Sequence, residues 1–519
     1  MTTRFLSRTL IALILLGSFF LIWPASPVRF NFLAGPVRAA PPVAGKGQAK
    51  IAPEVQAALN SLQAGEMLSV IVTFKDQANL NQLAVALPRF DRAARLKHVI
   101  EQLQAKANAG QRAVKTWLTR RQARREVGEI TFFWIFNGLA VTATPAVIQE
   151  LAVQPEVLSI TPNEIIQGPP LPPAEQGELG ILATEPNLSL INVPALWDIG
   201  YKGQGIVVAN LDTGVDGSHP NLAPKWRGGT NSWFDAFPSD GNPNTPVDIA
   251  GSSSGHGTQT MGIMVGGQDN FSNTFGIAPE AKWIAAKVFK NNGSGTTAGF
   301  HAAFQWLLDP DGNPATPDAP DVVNNSWTFG NPNSCNLAFQ ADLQALRAAG
   351  ILPIFAAGNA GPNASTSYSP ANYPEALSVG NISNSNIIYP GIGGFGGSSR
   401  GPRPATASGC NPGTVFPDVV APGVNIRTTD RFSSYTNATP GTSFAAPHVA
   451  GALALLLDAF PNLTVDEQEA CLVNLAVNLG AAGPDDTYGH GRIDTLAVYQ
   501  AILSGGCYRI HLPLLMRDN

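Results

Sequence analysis

Residues 441–451, Gly-Thr-Ser-Phe-Ala-Ala-Pro-His-Val-Ala-Gly, constrain this chain more than any other stretch. A helix start built from alanine, valine and glycine has side chains small enough to sit deep in a core. Gly441 and Thr442 ahead of it let the backbone approach another molecule closely. Ser443, between turn and helix, stands where a hydroxyl can be held at a helix N-terminus. A serine there is by itself an ordinary N-cap, so its meaning depends on what accompanies it.

Three further segments accompany it. Ile206–Leu211 reads as a buried strand, with Asp212-Thr213-Gly214-Val215-Asp216 at its C-terminal end. Functional groups of open α/β sheets gather at that edge. His256 lies in Ser254-Gly255-His256-Gly257-Thr258, ahead of a small-residue helix over 261–265. Ile351–Ala357 reads as an apolar strand ending in Gly358-Asn359-Ala360-Gly361, where an asparagine is normally a turn residue. A lone Asp after a strand is usually a cap, and a lone His usually a satisfied core or surface residue. The order Asp, His, Ser with all motifs together is not explained that way. The four motifs resemble the subtilisin-like serine proteases (subtilase family, peptidase S8). The resemblance runs from Leu188 to about Leu503 and takes in 418–423 and 488–494. Val322-Val323-Asn324-Asn325-Ser326-Trp327 is similar to the bacillopeptidase F-like branch.

The resemblance implies a doubly wound, mostly parallel α/β catalytic domain and a serine endopeptidase acting on proteins or peptides. Ser443 would be the nucleophile, His256 the general base and Asp212 the residue that orients His256. Asn359 and the Ser443 N–H would hold the developing oxyanion, with no metal or cofactor needed for catalysis. Ser326, Trp327 and Thr328 match the strand that binds substrate, although Trp327 and Thr328 replace the commoner Leu-Gly. Tyr368 falls near a pocket base that is often Gly, where it either shortens the pocket or turns into the core. Gln259 stands where the family often has a second His outside the triad. No acidic cluster of the kind a dibasic-specific convertase needs lies near these segments. Family members often bind structural calcium in the loop after the His helix, here 266–273. Asp309-Pro310-Asp311-Gly312-Asn313 starts like an EF-hand loop, but Pro314 replaces the required sixth-position Gly, so it is not read as one.

Upstream, Met67–Lys75, Ile130–Phe136, Gly138–Ala143 and Val157–Thr161 read as strands. A long charged helical stretch interrupted at Pro88 follows the first, and a helix over Pro145–Val153 precedes the last. That β-α-β-β-α-β order is ferredoxin-like α+β, and the block at 52–166 resembles the inhibitor I9-type propeptides of subtilases. Residues 167–186, with Pro169, Pro170, Pro172 and Pro173, form an extended linker in which self-cleavage is expected. The expected catalytic domain covers 187–504 and a C-terminal tail 505–519. Arg4 and Arg8 before the apolar run Leu10–Trp23 mark a signal peptide over 1–39, with Val37-Arg38-Ala39 as a cleavage site and an uncleaved anchor as the alternative. No other stretch is read as a membrane span.

Composition agrees with export. Only 13% of the 519 residues are charged, against about 25% in typical globular chains. A net charge of −5 argues against a nucleic-acid partner, and Arg120-Arg121-Gln122-Ala123-Arg124-Arg125 reads as a solvated helix face. Four cysteines in an exported chain imply disulfides. Three pairings are open, of which Cys335–Cys410 with Cys471–Cys507 is the one expected. The enzyme is expected to be a secreted monomer inhibited by its own propeptide. Two rivals are a non-catalytic binding protein of the same fold and a narrow processing peptidase for one exported partner.

Overall fold

The computed structural model describes residues 50–507 apart from 64, 81–90, 170–184, 241–243, 250–251, 253, 268–273, 393–394 and 406–407. The signal peptide, the interruption at Pro88, most of the linker, most of the 266–273 loop and the tail beyond 507 therefore lie outside the described residues.

The N-terminal domain opens with helix α1 (Pro53–Ser61), which had no sequence signal strong enough to predict it. Strand β1 (Leu68–Phe74) follows, then helix α2 (Arg92–Gln122), strands β2 (Val127–Phe133) and β3 (Gly138–Ala143), helix α3 (Pro145–Val153) and strand β4 (Val157–Pro162). The sheet order is β2-β3-β1-β4, all antiparallel, with Ile71 of β1 opposite both Ala140 and Thr161. This is the expected ferredoxin-like order. Helix α2 has 31 residues, about 46 Å, and Asp91 caps it by accepting from Ala94 N at 2.8 Å. Its arginine-rich end is solvated: Arg121 pairs with Glu126 and Glu150, and Arg120, Arg124 and Arg125 are exposed.

Strand β2 ends at Phe133, three residues short of the predicted Phe136. The reason lies in the next domain. The Trp134 and Ile135 N–H groups donate to Gln305 Oε1 at 2.6 and 3.2 Å, so the chain leaves the ladder and Phe136 turns into the interface.

The second domain is built on seven parallel strands: β6 (Val207–Asp212), β7 (Trp233–Asp235), β8 (Lys282–Lys287), β10 (Val322–Asn325), β11 (Leu352–Ala356), β12 (Leu377–Ile382) and β13 (Val419–Pro422). Their order, β13-β12-β11-β10-β6-β8-β7, reverses direction at β6 and β10, which defines a doubly wound sheet. Both faces are covered. Val208 faces a core with helices α4 (His256–Val265) and α7 (Thr442–Ala459), while Ala209 and Leu211 face one with α5 (Thr297–Leu308) and α6 (Gln340–Ala349). The N-terminal domain extends this second core with Leu96, Ile100, Leu103, Phe133 and Phe136.

Helix α7 is the interior helix that its small residues predict, with Thr442–Leu457 buried. By length and composition it could also cross a membrane, a correction to the expectation for the mature region, but 89% of its apolar window is buried in this core. Helices α8 (Val465–Asn474) and α9 (Thr495–Leu503) close the C-terminal side. The expected cysteine pairs form: Cys335–Cys410 (Cα–Cα 6.0 Å) and Cys471–Cys507 (5.2 Å), the latter tying α8 to the chain after α9.

His448 sits fully buried in α7. Nδ1–H donates to the Phe444 carbonyl at 2.7 Å, and Nε2 accepts from Asn187 Nδ2 at 2.9 Å, a tautomer assigned from these partners. Burial lowers its pKa from 6.5 to about 4. The unfolded chain therefore takes up this proton at higher pH than the folded one. The associated stability is complete above pH 6.5 and is lost as pH falls towards 4, about 3 kcal/mol in all. Urea unfolding from pH 7 to 4 checks this: His448→Gln should show a correspondingly shallower acid loss than the parent. Equal slopes would remove the assignment.

Candidate active site

The C-terminal ends of the central strands carry the residues singled out in the sequence. Asp212 ends β6, and His256 is the first residue of α4. Gly257 lets them meet: a Cβ there would lie 2.0 Å from the Gly214 carbonyl oxygen and 3.1 Å from the Asp212 Cβ. His256 Nδ1 lies 2.8 and 3.0 Å from the two Asp212 carboxylate oxygens, and both side chains are buried. Asp212 Oδ1 also accepts from Thr213 N at 2.7 Å. A carboxylate on Nδ1 sets the tautomer in which Nε2 carries the lone pair. That Nε2 is buried and makes no hydrogen bond among the described residues. The arrangement can take a proton from a hydroxyl brought to Nε2.

Ser443 lies in the first turn of α7, and the ring of the next residue, Phe444, is 5.4 Å from the His256 ring. The Ser443 hydroxyl donates to the Ser326 carbonyl at 3.3 Å. Its own carbonyl shows why Pro447 is tolerated in a helix. Four residues on, Pro447 has no N–H to give to the Ser443 carbonyl, and Ser326 Oγ donates to it instead at 2.8 Å. The Ser443 N–H is one of the four helix-start donors without an intrahelical acceptor.

Asn359 follows β11 and is exposed to the cleft. Its Oδ1 accepts from Thr442 N and Oγ1 at 3.0 and 3.1 Å. Those bonds assign the amide orientation and leave Nδ2 as the group on the other side of the amide.

Ser326, Trp327, Thr328 and Tyr368 all line a cavity of about 300 Å³ with Gly358, Asn359, Thr442 and Ser443. Trp327 borders it while burying its ring in the aromatic core, 4.3 Å from Phe300 and 5.4 Å from Phe355 by ring centroids. Tyr368 is among the residues that border this cavity. Its half-buried ring lies over Gly358, where φ is +108° and an added Cβ would come within 2.4 Å of the ring. Burial raises the Tyr368 phenol pKa.

Sequence reasoning missed the polar supports. Asn324 Nδ2 donates to Asn210 Oδ1 (2.9 Å) and Ser326 Oγ (3.0 Å), and Asn210 Nδ2 donates to Thr260 Oγ1 (2.8 Å). This fully buried chain ties the His256 helix to the Ser443 helix through two strands. Its one signal was asparagine within strands that otherwise read as buried, Asn210 in β6 and the pair Asn324-Asn325 in β10. Asp248 is a second support: its carboxylate accepts from Thr213 Oγ1 (2.6 Å), Thr258 N (2.8 Å) and Thr258 Oγ1 (2.5 Å). Burial raises the Asp248 pKa, and burial lowers that of Lys287, whose Nζ donates to the Thr213 and Phe289 carbonyls.

The N-terminal domain reaches the same cleft. Strand β5 (Ile165–Gln167) pairs antiparallel with β9 (Ser294–Thr296), and Gly168 N donates to the Gly293 carbonyl at 2.8 Å. Gln167, Gly168 and Pro169 then border the cavity that holds Ser443. The tail thus lies as an added strand leading to the candidate nucleophile.

Comparison with known proteins gives the family. Residues 203–491 match the subtilase family (peptidase S8), and residues 69–168 match peptidase inhibitor I9. The chain is 33% identical to Bacillopeptidase F of Bacillus subtilis over 484 residues, covering 86% of this chain and 32% of that protein. It is 32% identical to Subtilisin E of B. subtilis, covering 71% of this chain and 82% of that protein. A third relative, the subtilisin-like protease PopC of Myxococcus xanthus, is 32% identical over 315 residues, covering 57% of this chain and 60% of that protein. The chain belongs to the subtilase family of serine endopeptidases and carries an I9-type inhibitor domain ahead of its peptidase domain.

Proposed function

We propose that this is a secreted, self-processing serine endopeptidase in which Ser443 attacks the scissile carbonyl. His256 Nε2 takes the hydroxyl proton and returns it to the leaving amine, while Asp212 holds the imidazole and stabilises its cation. The Ser443 N–H and Asn359 Nδ2 receive the charge on the carbonyl oxygen. No catalytic cofactor is required. The observation that carries this proposal is the Asp212–His256 contact beside a cleft bordered by Ser443, Asn359 and the chain's own segment 167–169. Protein substrates would bind as that segment does, as an extended strand along β9. Residues 52–166 would act as an intramolecular inhibitor until the bond between about 167 and 186 is cut. Removal of residues 1–39 on export and structural calcium in the 266–273 loop belong to the same proposal.

The test is intact mass and N-terminal sequencing of the parent and Ser443→Ala, both made from residue 40 in an oxidising host. The parent should lose the residues up to the linker while the variant stays whole. If both stay whole and folded, self-processing fails and the binding-protein alternative takes its place.

Tyr368 should set the pocket's depth. Tyr368→Gly is expected to raise kcat/KM for a P1 Phe peptide about tenfold or more relative to its P1 Ala counterpart. An unchanged ratio would take Tyr368 out of the specificity site.

A further inference from the structure

We propose that the loop between α5 and β10 holds a calcium ion on the carboxylates of Asp309, Asp311 and Asp318. One carboxylate oxygen from each lies within 4.8 Å of the others. Two oxygens bound to one calcium at 2.3–2.6 Å can be no more than about 5 Å apart, so the spacing suits one shared ion.

Burial supplies the independent argument. Asp309 and Asp318 are only 7% and 9% exposed. Each has one satisfied oxygen: Asp309 Oδ2 accepts from Gln104 Nε2 at 3.3 Å, and Asp318 Oδ2 from Asn231 Nδ2 at 2.8 Å. The other oxygen of each, Oδ1, is buried with no hydrogen-bond partner among the described residues. Leaving a buried carboxylate oxygen unsatisfied is costly, and leaving two side by side is costlier. A nearby cation, Arg227, attracts Asp318 without bonding to its carboxylate. Among the described residues no lysine or arginine forms an ion pair with any of the three. The nearby Arg227 guanidinium donates to the Asp318 and Asn231 carbonyls and to Ser232 Oγ.

The surroundings add negative charge. Asp309 is the C-cap of α5, the negative end of the helix dipole. The carboxylates of Asp318 and Asp311 lie close enough to that of Asp309 for their charges to repel. A divalent cation bound to all three removes both the repulsion and the missing acceptor partners. Oxygen-only donors select a hard ion, and exposed Asp311 gives it an entry path from solvent. The EF-hand reading is rejected at Pro314 because that motif is a single short loop with fixed spacing. The third carboxylate here comes from Asp318, beyond that proline.

Calcium counting tests the proposal on the full chain carrying Ser443→Ala, stripped with EDTA and then equilibrated with calcium alone by dialysis. Asp309→Asn with Asp318→Asn should bind one calcium fewer per chain. It should also unfold at a higher temperature than its parent in EDTA, because the repulsion is gone, while gaining less from added calcium. An equal calcium count in parent and double variant overturns the site. If the double variant does not fold, Asp311→Asn at an exposed position decides: affinity at one site should fall about tenfold, and unchanged binding overturns the proposal.

Discussion

Ser443→Ala is expected to reduce peptide hydrolysis by a factor on the order of 10⁶, the size of loss that subtilisin shows when its nucleophile is removed. The surroundings leave no substitute. Ser326 Oγ is engaged with the Ser443 carbonyl, and Thr442 Oγ1 with Asn359 Oδ1. All four cysteines are in disulfides. What would remain is the rate given by the oxyanion donors and substrate positioning acting on water. The fold should be unaffected, because the lost hydroxyl makes a single 3.3 Å bond and the carbonyl bond from Ser326 persists. Turnover of a fluorogenic peptide, with Tm of the variant as the folding control, measures this. Substantial turnover by a pure, folded variant would remove Ser443 as nucleophile.

The sequence was most readable where chemistry and backbone constraint coincide. Asp212, His256, Asn359 and Ser443 each sit beside glycines at an element boundary; Asn359 and Ser443 border one cleft, and His256, paired with Asp212, lies against Phe444 next to Ser443. The alternation of strands and helices was readable because buried parallel strands such as Leu352–Ala356 are continuous apolar runs. That the four cysteines form disulfides followed from count and context, but which of the three pairings forms did not. What stayed hidden depends on contacts remote in sequence. The Asn210–Asn324–Ser326 chain joins positions more than 100 residues apart, and an asparagine in a buried strand does not name its partner. The early end of β2 is imposed by Gln305, some 170 residues downstream. The Asp309, Asp311 and Asp318 cluster escaped because a motif test asks for fixed spacing, whereas a cation asks only for oxygens at the right distance.

Asn359 is expected to act in the transition state and hardly at all in the ground state. Asn359→Ala should lower kcat by about 10²–10³ with little change in KM, the loss subtilisin shows for an oxyanion donor of this type. A rival account is that Asn359 only supports the loop, because its Oδ1 accepts two bonds from Thr442 next to the nucleophile. Asn359→Asp separates the two accounts. A carboxylate keeps an acceptor for Thr442 N and Oγ1 but has no N–H to offer, and its charge repels a developing oxyanion. If the amide donates to the oxyanion, the Asp variant should be at least as impaired in kcat as the Ala variant while keeping the parental Tm. If Asp restores kcat, Asn359 acts by holding Thr442 in place, and the oxyanion would then rest on the Ser443 N–H and donors still to be found.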